Sequence, residues 1–375
     1  MTPKQVIEKA GQLEQQGDTQ QAIAFYRFLI SMDPGHGQAL FRLANLLLSN
    51  NMVKDCMPYY RVLVQLNPTF VPGRINLSIA LKKQGKLDQA IDQLKAASAE
   101  QPENLAVWQQ LADAHRTANQ LPDALHAFQK CAELDPEDPK AAHMVMSVQA
   151  SLDGYDAAAK RADDKYVATY FDQYAKTFDT HTAAILRYQV PKLLKQVASQ
   201  AGYLEGEQRA VLDLGCGTGL CGEFLAPNAS QLDGIDLSPA MLEEARKKGI
   251  YNALHEGELV AEMAKLEADS YDFVVAGDVF CYIGALEDTF KQVARVSKPQ
   301  AGFLFTVEAM TLNEVDAGAE DHILRHSGRY AQHRDYIERL AAENGFDVMQ
   351  IGQETIRLEY GKPISGWVSL LQRLA

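Results

Sequence analysis

Four prolines, Pro34, Pro68, Pro102 and Pro136, stand 34 residues apart, and nothing else restricts the first half of the chain so tightly. A fixed period of this length means a stack of short units, none of which can bury its apolar face alone. Units set at 3–36, 37–70, 71–104 and 105–138 bring like residues into like places. The eighth position holds Ala10, Ala44, Ser78 and Ala112, and the twentieth holds Ala22, Cys56, Ala90 and Ala124. Tyr26, Tyr60, Leu94 and Phe128 take the twenty-fourth. Small residues let two helices approach, and large ones fill the space between them. Each unit therefore reads as two antiparallel helices, with Gly17 and Gly85 at the turn in the first and third and a proline ending the second helix. An apolar helix over 140–152 is expected to cap the stack.

The pattern resembles tetratricopeptide repeats, most fully in the fourth unit, where Trp108, Leu111, Ala112, Ala124, Phe128 and Pro136 stand in the expected places. The resemblance implies an α-solenoid over residues 3–152 whose concave face takes a protein or peptide. Some members grip a C-terminal carboxylate with Lys, Asn and Arg on successive first helices. Here Asn45 and Asn76 alone sit at such places, beside Phe41, Pro72 and Ala106, so that contact is not expected. The other use of such a stack is to stabilise or dimerise the domain attached to it.

A polar stretch, DGYDAAAKRADDK at 153–165, reads as a linker. Beyond it Phe171, Tyr174 and Phe178 recur at i, i+3 and i+7, which makes one helical face aromatic. The next landmark is VLDLGCGTGL, residues 211–220. An apolar run at 210–214, a glycine turn and a short apolar helix at 220–225 form the first βα unit of a doubly wound sheet. Glycines let the backbone approach a ligand, and helix N-termini attract negative groups. Gly215, Gly217 and Gly219 are spaced G-x-G-x-G. That differs from the G-x-G-x-x-G of dinucleotide folds, and no Lys-Ser/Thr follows as in a P-loop. A second strand at 231–235 ends in Asp236, whose carboxylate suits the two vicinal hydroxyls of a ribose. Ser238 is placed to cap the helix that starts near Pro239.

LDLGCGTG followed by GIDLSPAML resembles the class I S-adenosylmethionine-dependent methyltransferases. The resemblance covers residues 166–375 and implies a Rossmann-like, seven-stranded domain with its last strand pair antiparallel, so the whole chain reads as α + α/β. It implies S-adenosylmethionine as cofactor, held by Asp213, Gly215, Cys216, Gly217, Thr218 and Gly219, then Asp236, Leu237 and Met241, then Gly257, Glu258 and Leu259, with Gly277 after the fourth strand. Strands are expected at 271–276, 302–308, 346–358 and 367–371, and helices at 286–296 and 330–344. More narrowly, FDQYAKTFDTH, VVAGDVFCYIG, GRYAQHRDY and RLEYGKPISG look like repeat-containing predicted bacterial methyltransferases. In those, Tyr174 and its aromatic neighbours close over the cofactor. The acceptor side draws on Asp278, Tyr282, Arg329, Tyr330 and His333, with Asp278, Tyr282 and His333 the catalytic candidates. His322 and His326 lie in the same stretch. Members commonly read His-Ser where this chain has Gln332 and His333.

The reaction implied is methyl transfer to a protein or carrier-bound acceptor recruited by the repeats. The alternatives are a small-molecule methyltransferase that uses its repeats for assembly and a non-catalytic cofactor-binding adaptor. Formal charge is −13, and a surface so acidic repels phosphate backbones and anionic lipid. Nucleic acid and membrane are therefore not expected partners. Five cysteines without a C-x-x-C pair, and no His at zinc-ligand spacing, fit reduced thiols without a metal site. The opening MTPKQVIEKAGQ lacks the apolar core of a signal peptide, and the expected location is the cytoplasm.

Overall fold

A computed structural model describes residues 1–154, 161–182, 187–206, 208–359 and 361–375, the side chain of His181 excepted. Part of the stretch read as a linker, residues 155–160, lies outside them. The chain divides into two compact units, Met1–Glu137 and Asp138–Ala375.

The first unit is a run of helix pairs: α1 (Pro3–Gln15) with α2 (Thr19–Met32), α3 (Gly37–Ser49) with α4 (Val53–Leu66), α5 (Val71–Lys83) with α6 (Leu87–Glu100), and α7 (Leu105–Thr117) with α8 (Leu121–Leu134). First helices begin at 3, 37, 71 and 105 and second helices at 19, 53, 87 and 121, so each step repeats the 34 of the sequence. The turn inside each pair needs a left-handed residue. Gly17 (φ 78°) and Gly85 (φ 72°) supply it in the first and third, and Asn51 (φ 59°) and Asn119 (φ 57°) supply it in the others. Asparagine tolerates this region where most side chains do not. Asp33, Asn67, Gln101 and Asp135, the residues before the periodic prolines, leave the helical region with ψ between 78° and 90°, because the proline ring disfavours helical backbone there. The small residues at the eighth and twentieth positions are all fully buried, as are Tyr26, Tyr60, Leu94 and Phe128.

The helix expected to cap this stack, α9 (Pro139–Leu152), starts 34 residues after α7 and so keeps the period. Its contacts nonetheless assign it to the second unit. There it packs on α10 (Asp164–Tyr174).

The second unit is built on one sheet. Its strands are β1 (Arg209–Leu214), β2 (Ala229–Asp236), β3 (Ala253–Glu256), β4 (Tyr271–Ala276), β5 (Ser297–Ala309), β6 (His322–Leu324), β7 (Tyr330–Gln332), β8 (Phe346–Glu359) and β9 (Lys362–Arg373). β3, β2, β1, β4 and β5 run parallel in that order, and β9 lies antiparallel between β5 and β8. Both faces are covered, which explains the unbroken apolar runs. Leu212, Leu214, Val274, Phe303 and Phe305 pack towards helix Glu287–Val296 through Phe290 and Val293. Val211, Phe273, Val275 and Leu304 pack on the opposite face towards helix Val190–Gln200. β1 has β2 on one side and β4 on the other. The connections therefore reverse direction at β1, and a crevice opens at its carboxyl end.

One expectation is corrected. The stretch 330–344 is not a single helix: β7 comes first, and the helix begins at Arg334. With β6 it forms a hairpin joined to the end of β5 through Glu308 and Ala331, so the sheet has nine strands where seven were expected. The buried Gln332 amide explains the break, because it donates to the carbonyls of Phe280 and Ile283 and so ties the backbone to the neighbouring loop.

Candidate functional site

The crevice at the end of β1 opens into a cavity of about 510 Å³. The glycine turn forms one wall. Gly215, Gly217 and Gly219 all have positive φ (63°, 54° and 86°). A Cβ added at Gly217 would meet nothing within 4 Å, and Gly217 lines the cavity. Asp236 ends β2 across the turn, and its carboxylate accepts the N–H of Gly217 at 2.8 Å and of Ser238 at 2.9 Å. Burial raises this carboxyl to about 6 against the backbone donors that pull it down. Asp213 is fully buried behind it and accepts from the Tyr251 hydroxyl at 2.7 Å. Burial lifts Asp213 to about 7. Ser238 caps helix Pro239–Lys248 through the N–H of Met241, and its own hydroxyl donates to Asp172 at 2.6 Å.

The aromatic segment closes the opposite wall. Tyr170, Phe171, Tyr174 and Phe178 all line the cavity. Two carboxylates anchor their segment to the side of the glycine turn and β2. Asp172 accepts from Ser238 and from the N–H of Ala240. Asp179 accepts from the Thr218 hydroxyl and pairs with Lys248 at 3.3 Å.

Past the turn, Asp278 follows β4 with φ 57°, in the left-handed region that Asp, like Asn, tolerates better than most side chains. Its N–H donates to the Thr306 hydroxyl at 2.9 Å, and its carboxylate takes Nη1 of Arg357 at 2.7 Å. Arg357, fully buried on β8, bonds through Nη2 to the buried Glu308. Glu308 also pairs with Arg325 at 2.8 Å, and Arg325 holds Glu314 through two nitrogens. Burial pushes the Glu308 carboxyl up, but Arg357, Arg329 and Arg325 together hold it below its usual value. Asp278 goes the other way: burial outweighs Arg357 and Arg329 and raises it.

The cavity brings together Tyr174, Asp213, Gly215, Cys216, Gly217, Thr218, Asp236, Leu237, Met241, Glu258, Leu259, Gly277, Asp278, Tyr282 and Arg329. Gly219 and Gly257 shape the turn from outside it. A Cβ at Gly219 would press on Tyr251, and the N–H of Gly257 donates to the carbonyl of Asp236. His333 also stands outside the lining residues. It caps helix Arg334–Glu343 with Nδ1 accepting from the N–H of Asp335, a structural role that the catalytic expectation did not include. Tyr330, His322 and His326 line nothing here either. Sequence reasoning missed Tyr188, Arg161 and Arg357 in the lining and Tyr251 behind it. The one available signal was a lone Arg357 between the apolar Ile356 and Leu358. Cys216, Cys221 and Cys281 line the cavity as buried thiols, and burial raises all three well above the usual thiol range.

Residues 211–300 match the family model described as a methyltransferase domain, and residues 13–70 and 81–148 match the tetratricopeptide repeat model. The chain is 34% identical over 120 residues to methyltransferase-like protein 27 of Homo sapiens, covering 32% of this chain and 46% of that one. It is 31% identical over 204 residues to the malonyl-[acyl-carrier protein] O-methyltransferase of Legionella pneumophila, covering 51% of this chain and 70% of that one. Among solved structures, magnesium protoporphyrin IX methyltransferase from Synechocystis aligns with a TM-score of 0.43 at 17% identity, covering 56% of this chain and 100% of that one. The chain spans less than half the length of the human relative. No described helix is long and apolar enough to cross a membrane.

Proposed function

This chain belongs to the S-adenosylmethionine-dependent methyltransferases, and we propose that it methylates a protein or carrier-bound acceptor recruited by its repeats. The observation that carries the reading is the glycine turn: an unfilled space at Gly217 beside a carboxylate, Asp236, already oriented by two backbone N–H groups. Asp236 accepts the ribose hydroxyls. Gly215, Cys216, Gly217 and Thr218 would hold the methionine part, and Leu237, Met241, Glu258 and Leu259 the base. The bound cofactor supplies a methyl group on a positively charged sulfur. Tyr174 and its neighbours exclude water from the site. Asp278, fixed by Arg357, accepts a hydrogen bond from the acceptor atom and orients it. Alignment contributes most of the rate in such a reaction, about 7–11 kcal/mol, whereas a general base adds roughly 10²- to 10⁴-fold.

The carrier-bound acceptor is supported by two facts. Relatives named for malonyl-[acyl-carrier protein] recur among the similar proteins, and this chain joins a repeat module to its methyltransferase domain. The test gives the purified protein methyl-labelled S-adenosylmethionine and extract of its own cells, with Asp236→Ala as control. Label on a protein band that disappears in the control supports the reading, and its loss on deleting the repeats supports recruitment. Label confined to small molecules overturns the acceptor class, and turnover indifferent to deletion overturns recruitment.

A further inference from the structure

We propose that His143, on α9, is a positioning residue that sets both walls at the mouth of the cavity; this rests on the cavity being the cofactor site. His143 lies outside the lining residues and is fully buried. Its ring stacks on Tyr166 at the start of α10, with centroids 4.3 Å apart and planes within 20°. Tyr166 begins a ladder along one face of α10: Tyr166 meets Tyr170 at 6.2 Å and Tyr170 meets Tyr174 at 4.9 Å, and the last two line the cavity. The same imidazole also reaches a second segment beside the cavity. Nε2 lies 2.8 Å from the carbonyl oxygen of Gly328, in the turn between β6 and β7. A carbonyl only accepts, so Nε2 carries the proton. Arg329, the next residue, lines the cavity.

The turn is fitted to this contact. Gly328 has φ 83°, and a Cβ there would stand 3.2 Å from Sδ of Met144 and 3.3 Å from Nε2 of His143. One side chain thus ties α9 to the helix that carries the aromatic wall and to the turn that carries Arg329. Losing it frees the two independently. The expected cost is that of a buried hydrogen bond together with a ring stack, about a tenfold loss of affinity for whatever those walls enclose.

The experiment compares the full chain with His143→Ala, His143→Phe and Gly328→Ala. Two quantities are read: S-adenosylhomocysteine binding by calorimetry, and amide exchange over residues 164–181. The positioning role predicts that His143→Ala and Gly328→Ala, altering the contact from opposite sides, both raise the dissociation constant about tenfold and speed exchange in that segment. Exchange in β1, β4 and β5 should stay unchanged. His143→Phe, which keeps a ring against Tyr166, should recover part of both effects. Wild-type affinity and exchange in either Ala variant would overturn the proposal, as would a uniform loss of protection through the unit. If the unaltered chain fails to bind S-adenosylhomocysteine, the cofactor reading falls, and local exchange still decides whether His143 holds the walls.

Discussion

A Cβ added at Gly215 would stand 2.5 Å from a methyl of Val279, while one at Gly217 would face open space. Both residues have positive φ, which costs an L side chain about 1–2 kcal/mol. Gly215→Ala adds overpacking and is expected to destabilise the unit by about 2–4 kcal/mol in urea denaturation. Gly217→Ala is expected to cost stability only the backbone strain, yet to abolish S-adenosylhomocysteine binding in a titration. Asp236 yields a pH prediction. Raised to about 6, it accepts ribose hydroxyls fully only when ionised, so affinity should rise between pH 5 and 7 and level off above. An affinity independent of pH over that window would remove Asp236 from the ribose site. The sign for stability is opposite. Asp213 at about 7 and Asp236 keep protons in the folded state that the unfolded chain releases near 4. This contribution is fully present below pH 4 and lost as pH rises towards 7, and Asp213→Asn should flatten that slope. The glycine spacing and Asp236 were legible because a βα turn is local. Tyr251 was not: it reaches Asp213 from 38 residues away, and nothing near it in sequence marks it.

Between Thr355 and Arg357 the register of β8 against β9 slips by one residue. The bulge breaks strict alternation, so Ile356 and Arg357 are both fully buried. It delivers a guanidinium between Asp278 and Glu308, where its two terminal nitrogens serve one carboxylate each. Arg357→Leu takes the ion-pair partner from Asp278 and leaves Glu308 with Arg325, and should destabilise the domain by about 3–5 kcal/mol, read as a fall in Tm. Arg357→Lys, with its single charged nitrogen, should recover only part. Loss of no more than about 1 kcal/mol in Arg357→Leu, the scale of an exposed ion pair, would mean that the pair relaxes into solvent. At this scale β1, β4 and β5 were readable from their apolar runs, and the final hairpin from the family resemblance. The β6–β7 hairpin was not, because YAQHRDYIERLAAE reads well as a helix throughout. What breaks it at Gln332 is a pair of hydrogen bonds to a loop some 50 residues earlier, a tertiary override of local preference.

Two compact units account for the described chain, and the sequence pattern carried the repeat half in nearly every detail because its contacts are between neighbours in sequence. The half's end is shared, since α9 keeps the period and the repeat match runs to residue 148 while its His143 contacts Tyr166 and Gly328 of the second unit. A chain of residues 138–375 is accordingly expected to bind S-adenosylhomocysteine like the full protein, and one starting at 153 to bind it at least tenfold more weakly. Equal binding by the two would return α9 to the repeats. The unbroken period also has an evolutionary meaning. Insertion or loss of a whole 34-residue unit before α9 leaves the later helices in the same phase, so the array can lengthen or shorten by gene duplication without shifting the point in the period at which α9 begins.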